Sequence, residues 1–162
     1  MSATKLYGSP PWALGLALVV TVLDQITKAM VRRSIGFHDE VVLIPGFLSL
    51  RHGENRGLAF GMLGDAPLPF QAVLLTILAL TLVSLLLVFW GRVATTKTAH
   101  TALGLILGGA VGNVIDRVRT GGVTDFVHAY WRGHAWPDFN LADSAICVAI
   151  GLLLVDSLRS RS

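Results

Sequence analysis

At 162 residues the chain has room for one domain, and 53% hydrophobic with 14% charged residues places it well to the apolar side of soluble globular proteins. The formal net charge is only +3, and the basic residues are scattered instead of gathered on a stripe with aromatics between them, which argues against nucleic acid as a partner. A bilayer is the expected solvent.

Four apolar stretches carry that expectation, near Trp12–Met30, Leu68–Trp90, Ala99–Val118 and Leu141–Leu158. Each runs about 18 to 23 residues with few charges, enough at 1.5 Å per residue to cross a hydrocarbon core of roughly 30 Å. They predict an all-α polytopic membrane protein with four transmembrane helices, organised as a single membrane-embedded domain over residues 1–162. The first stretch follows Lys5 and resembles a secretory signal, but it is too long for an h-region and no small-residue cleavage site follows it, so it is read as a retained span.

Between the first two stretches lies a long connection, Val31–Pro67. Within it Val41-Val42-Leu43-Ile44, the turn Pro45-Gly46 and Phe47-Leu48-Ser49-Leu50 predict a small β-rich element resting on the membrane surface. The next connection, Gly91–Thr98, is short, with Arg92 and Lys97 its only charges. The third stretch repeats glycine at Gly104, Gly108 and Gly112, a small-residue stripe that lets a neighbouring helix approach closely. A second long connection, Arg119–Phe139, precedes the fourth stretch. Cys147 is the single cysteine, deep in that last apolar run; it excludes an intrachain disulfide and a cysteine metal cluster and is expected to be apolar filler.

Four spans put both termini on one side and both long connections on the other. Lys and Arg counting gives an awkward orientation, because Lys28, Arg32, Arg33, Arg51, Arg56, Arg117, Arg119 and Arg132 fall on the long-loop side, against Lys5, Arg92, Lys97, Arg159 and Arg161 with the termini. Taken alone, the rule would put the long loops in the cytoplasm.

Alternation of the spans also brings the end of the first helix, the end of the third and the start of the fourth to one side, and the unusual polar residues belong to those three ends. Asp24 lies inside the first helix; Asn113, Asp116 and Arg117 close the third; Asp125 follows it; Asn140 and Asp143 open the fourth. A carboxylate in a spanning segment costs roughly 2.5 to 3.5 kcal/mol at the helix centre, so it faces a protein interior or a wet cavity, and several in one leaflet suggest a site. Plainer readings stand beside this one. Asp24 and Lys28 could be an intrahelical pair with the lysine reaching to the interface, Asn140 with Asp143 a helix cap, Asp116 with Arg117 a closing salt bridge, and Asp125 a loop carboxylate. The five histidines show no i, i+4 pair and read as ordinary surface or interface residues. Neither a His-Glu-x-x-His zinc motif nor a Gly-x-Ser-x-Gly nucleophile turn occurs, which leaves aspartates as the candidates for hydrolysis. Two carboxylates held close share one proton, so the charged member can activate water while the neutral member protonates a carbonyl oxygen.

Five motifs in order resemble a known family over nearly the whole chain. They are Asp24-Gln25-Ile26-Thr27-Lys28, Asn55-Arg56-Gly57-Leu58-Ala59-Phe60, Gly108 to Arg117 with Asn113 and Asp116, Gly122-Val123-Thr124-Asp125-Phe126, and Phe139-Asn140-Leu141-Ala142-Asp143-Ser144. The chain is similar to the lipoprotein signal peptidases, or signal peptidase II. The resemblance implies an aspartic endopeptidase that cuts diacylglyceryl-modified prolipoproteins just before the lipidated cysteine. It implies that Asp125 and Asp143 are the catalytic pair, and that Asp24, Lys28, Asn55, Gly57, Asn113, Asp116, Arg117 and Asn140 bind substrate or support the site. It further implies a multi-pass protein of the bacterial inner membrane with cytoplasmic termini and an extracytoplasmic site, against the charge count. No metal or cofactor is expected, and the partners expected are prolipoproteins and membrane lipids, with the enzyme acting as a monomer. Arg56, Leu58 and Thr124 depart from the family's pattern and bear on pocket shape. A rival, a small proton-coupled transporter, lacks its signature, because the second stretch holds no acid.

Overall fold

The computed structural model describes residues 10–55, 68–93 and 95–159. Four helices, α1 (Pro11–Ser34), α2 (Leu68–Val93), α3 (Lys97–Thr120) and α4 (Leu141–Arg159), coincide with the four apolar stretches to within a few residues. Among the described residues α1, α3 and α4 are long and apolar enough to cross a membrane, and α2 carries the apolar stretch Ile77–Val88. α3 is the centre of the bundle and packs against the other three helices.

The bundle is small inside and large outside. Ala13, Ala17, Ala102, Ala142 and Ala149 are buried, whereas Leu18, Val88 and Leu154 are each more than 60% exposed. Large apolar side chains pointing outward are the pattern of a lipid-facing surface, and small ones at the contacts let the backbones close up. The glycine stripe serves this contact: a methyl group on Gly104 would lie 2.7 Å from the Ala13 carbonyl oxygen, and one on Gly108 2.6 Å from that of Ala17, so both face α1. Gly109, one position on, faces α4, where a methyl would meet the Ala142 carbonyl oxygen at 2.6 Å.

A four-stranded antiparallel sheet caps one end of the bundle in the order β1 (Glu40–Ile44), β2 (Leu48–Asn55), β3 (Val123–Trp131), β4 (His134–Ala135). The first hairpin is the one expected from the sequence, but the sheet extends beyond it. The second long connection, expected only as a loop, supplies β3 and β4, and β3 pairs with β2 from Leu48 opposite Ala129 to Asn55 opposite Val123. α3 leads into β3 through Gly121, whose left-handed φ of 82° lets its N–H cap the Arg117 carbonyl. β3 then returns through Arg132 and Gly133, both at positive φ as a two-residue hairpin turn requires. The outer strand β1 is exposed along its whole length, and Phe47 before β2, Trp131 at the end of β3 and Trp136 after β4 are exposed as well.

Candidate active site

Strand register puts Asp125 opposite Gly53 and Asn55 opposite Val123, so Asn55 and Asp125 are diagonal neighbours across the β2–β3 ladder. Asn55 Nδ2 accordingly donates to Asp125 Oδ2 at 3.0 Å. Two residues further along β3, Val127 forms a bridge with Phe139, their N–H groups each donating to the other's carbonyl. That bridge ties β3 to the residues entering α4 and sets Asn140 beside Asp125, where Asn140 Nδ2 donates to Asp125 Oδ1 at 2.7 Å.

α4 opens on a reciprocal cap. The Asp143 N–H donates to Asn140 Oδ1 at 3.0 Å, and the Asn140 N–H donates back to Asp143 Oδ2 at 3.3 Å. The capping reading of this pair therefore holds, and the same two side chains also reach Asn113 and Asp125. The other oxygen of Asp143 accepts from Asn113 Nδ2 of α3 at 2.9 Å. Each of the two carboxylates thus receives N–H donors on both oxygens, and both carboxylates line one cavity of about 610 Å³ together with Asn55, Asn113 and Arg117.

Asp125 is only 4% exposed. Burial, helped by the charge of Asp143, pushes its carboxyl up to about 6, and the amide donors of Asn55 and Asn140 and the Lys28 charge offset only part of that rise. A carboxyl so placed retains a proton where an ordinary aspartate has lost it.

Beneath the cavity is a buried charged cluster. Lys28 and Asp24 are 0% exposed and Asp116 1%. Lys28 Nζ pairs with Asp24 Oδ2 at 2.9 Å and Asp116 Oδ2 at 3.3 Å, and donates to Asn113 Oδ1 at 2.9 Å. The intrahelical Asp24–Lys28 pair is present, but the lysine turns inward and does not reach the interface. Arg117 does not close a salt bridge with Asp116; it lines the cavity together with Asp125 and Asp143. Asp116 is held instead by Lys28, by Arg32 Nη1 at 3.4 Å and by the Thr124 N–H at 3.0 Å. Thr124 accepts from Arg32 Nη1 through Oγ1 at 2.8 Å.

Seven of the eight expected supporting residues thus lie around or beneath the two carboxylates; Gly57, with Arg56 and Leu58, lies outside the described residues. Sequence reasoning missed Asp138, Trp136 and Phe139, which line the cavity wall, and took Cys147 for apolar filler, whereas it is exposed and lines the cavity one turn beyond Asp143. Asp138 is bound to His128 Nδ1 at 2.6 Å, and His128 is buried in β3 rather than on the surface. The His-Asp pairing had no local signal, since it depends on the β3–β4 hairpin. Among the described residues no group of three or more His, Cys, Asp or Glu side chains gathers as a metal cluster.

Residues 16–159 match the model of a peptidase family described as signal peptidase (SPase) II. The chain belongs to the signal peptidase II family. Its relatives include lipoprotein signal peptidases from Solibacter usitatus, 41% identical over 92% of this chain and 92% of that one, and from Symbiobacterium thermophilum, 43% identical over 86% and 90%. One from Acinetobacter baumannii is 44% identical over 89% and 81%. A solved structure described as a bacterial membrane enzyme superposes with a TM-score of 0.83 at 30% identity, covering 93% of this chain and 90% of that one. As a signal peptidase II the protein is a membrane aspartyl protease that removes signal peptides from prolipoproteins.

Proposed function

We propose that Asp125 and Asp143 are the catalytic pair, and that the bond cut is the one before a cysteine already carrying diacylglycerol. The observation that carries this is the pairing itself: two carboxylates in one cavity, each braced by carboxamide donors, with burial and the neighbouring charge holding a proton on Asp125 to about pH 6. Asp143, which lines the cavity with Arg117, takes a proton from a water molecule as that water attacks the scissile carbonyl carbon. Asp125 gives its proton to the carbonyl oxygen; as the tetrahedral intermediate collapses, the proton accepted by Asp143 goes to the leaving amine and Asp125 takes a proton back from the gem-diol hydroxyl, so the pair ends with its one proton restored. Asn113, Asn140 and Arg117 keep the donors and the local field fixed while charge moves, the role that electrostatic preorganisation plays in acyl transfer.

All four helices span the bilayer in this proposal, as one peptidase domain acting as a monomer, because both carboxylates and their donors come from one chain. The sheet rests on the bilayer surface. The exposed run Val41–Ile44 with Phe47, Trp131 and Trp136 supports this, since amphipathic aromatics favour the interface. Both termini are cytoplasmic and the site opens near the extracytoplasmic face of the inner membrane. The basic residues that argue otherwise are partly committed elsewhere: Lys28 is fully buried, Arg32 is paired with Asp116, and Arg117 belongs to the cavity. Counted as site residues, they no longer weigh as loop charges.

A membrane-facing cavity suits a substrate that stays in lipid. Each buried CH₂ contributes about 0.8 kcal/mol, so two acyl chains concentrate and orient the scissile bond far better than a signal helix alone. The test is a gel-shift cleavage assay on one precursor with and without diacylglycerol, at equal enzyme and detergent. Rapid cutting of the lipidated form and slow or no cutting of the other is expected. Equal rates would make this a general membrane aspartyl peptidase.

A further inference from the structure

The buried cluster at Lys28 touches no substrate-facing surface, yet each of its members reaches the backbone or side chain next to a catalytic carboxylate. The ammonium of Lys28 has three N–H donors and meets three acceptors: Asp24 Oδ2, Asp116 Oδ2 and Asn113 Oδ1. Asp24 uses its other oxygen to accept the Ala142 N–H at 3.1 Å, one of the free amides in the first turn of α4. Ala142 immediately precedes Asp143. Asp116 accepts the Thr124 N–H at 3.0 Å, and Thr124 immediately precedes Asp125. One cation thus holds two carboxylates, and each carboxylate grips the peptide N–H just before one member of the pair.

The third contact fixes a direction. A lysine ammonium can only donate, so Asn113 must turn Oδ1 toward it, and its Nδ2 is left facing Asp143. Asn140 Nδ2 approaches the same Asn113 oxygen at 3.3 Å as well as Asp125 Oδ1, which leaves Asn140 Oδ1 for the Asp143 N–H. With an acceptor in place of Lys28, or nothing, either amide could rotate by half a turn and present oxygen to a carboxylate.

We propose that Lys28, with Asp24 and Asp116, is a positioning clamp that sets the separation of Asp125 and Asp143 and the direction of the two carboxamides between them. The proposal rests on the assignment of Asp125 and Asp143 as the catalytic pair. Lys28, from α1, would otherwise be an expensive way to join helices, since burying a charge in the bundle is favourable only when it is fully paired. Its whole hydrogen-bonding capacity is spent on groups that lead to the pair.

The test uses a charge-balanced variant. Lys28→Met with Asp24→Asn removes one charge of each sign, leaves Asp116 paired with Arg32, and keeps an oxygen at position 24 for the Ala142 N–H. In purified full-length enzyme, kcat per folded molecule should fall about 10-fold or more while KM for lipidated prolipoprotein changes less than about 3-fold, because the clamp acts on the pair and not on the bound lipid. The pH profile should move as well. Asp125 is faced by Asp143 from α4, Arg117 from α3, Lys28 from α1 and the amides of Asn55 and Asn140, and in Lys28→Met alone, where the cation is lost without its partner, the alkaline limb should move upward. A merely structural role would lower the folded fraction and leave kcat per folded molecule and the pH profile as in the wild type, and that result overturns the clamp. Asp125→Asn and Asp143→Asn run alongside: activity in them would remove the catalytic assignment, whereas inactivity in them with wild-type kinetics in the double variant removes only the clamp. Should the double variant not fold, hydrogen exchange in the wild type decides. The Ala142 and Thr124 amides should be strongly protected, and exchange of either as fast as an open first-turn amide would overturn the proposal.

Discussion

Gly109→Ala should damage catalysis more than it damages the fold. The added methyl would lie 2.6 Å from the Ala142 carbonyl oxygen and 2.9 Å from Ile146 Cγ1. An ordinary carbon–oxygen approach is about 3.3 Å, so α3 and α4 must part by roughly 0.7 Å. That shift falls between Asn113 on α3 and Asp143 on α4, whose bond of 2.9 Å would stretch to about 3.6 Å, beyond useful hydrogen-bond length. Catalytic groups need placement to about 0.5 Å, and a misplacement of about 1 Å can cost about 100-fold. A fall in kcat of about 10- to 100-fold is expected, or about 1.4 to 2.7 kcal/mol of barrier. Overpacking should also cost about 1–3 kcal/mol of stability. Gly104→Ala is the comparison: its methyl would meet the Ala13 carbonyl at a similar 2.7 Å, but it lies about 13 Å along α3 from Asn113. Thermal unfolding in detergent should show similar losses for both variants, and single-turnover cleavage should show a large loss only for Gly109→Ala. Full kcat in Gly109→Ala, or equal kcat losses in the two, would refute this geometry.

Cleavage should fall as pH rises through about 6, where Asp125 loses the shared proton, and a profile flat from pH 5 to 8 would contradict that assignment. A carboxyl whose pKa is raised by folding adds stability that is complete below its unfolded value of 3.8 and is lost as pH rises through the folded value, here about 3 kcal/mol. Unfolding temperature should therefore drop between about pH 4 and 6 and level off above that, and Asp125→Asn should flatten that dependence. A reporter active only outside the cytoplasm should be silent when fused after Thr95 or Ser162 and active after Asp65; the reverse would put the pair in the cytoplasm. Activity should survive strong chelators, and a reversible loss on chelation would require a metal that the aspartate chemistry does not use.

Much of the architecture was legible because lipid makes a strong demand on sequence. Apolar runs long enough to span leave few alternatives, and the four helices fall where those runs are. The alternation of spans also predicted that Asp24, Asn113, Asp116, Asn140 and Asp143 would converge, which they do without any reference to orientation. The sheet was half legible. Val41 to Leu50 carries a compact β pattern with its own turn, whereas Val123–Trp131 reads as a loop between helices although Val, Thr, Phe, Tyr and Trp crowd it and Arg132-Gly133 marks a tight return. Partner choice was not legible. Arg117 follows Asp116 in sequence yet lines the cavity with Asp143 while Asp116 pairs with Lys28, because successive residues on a helix point in different directions and only the tertiary contact decides which acid meets which cation. For the same reason Lys28 looked free to reach the interface, and only the convergence of Asp24, Asp116 and Asn113 shows why it turns inward.

The central claim is that Asp125 and Asp143 act as one unit on a lipidated prolipoprotein. Single-turnover cleavage of that substrate should be measured for Asp125→Asn, Asp143→Asn and the double variant, with Asp39→Asn and Asp65→Asn as controls. Each single variant should lose about 1,000-fold or more, the double variant should be little worse than either, and the controls should stay near wild type, because a pair that shares one proton fails as a whole when either member is lost. Substantial turnover by either single variant, or losses that multiply in the double, would contradict the claim.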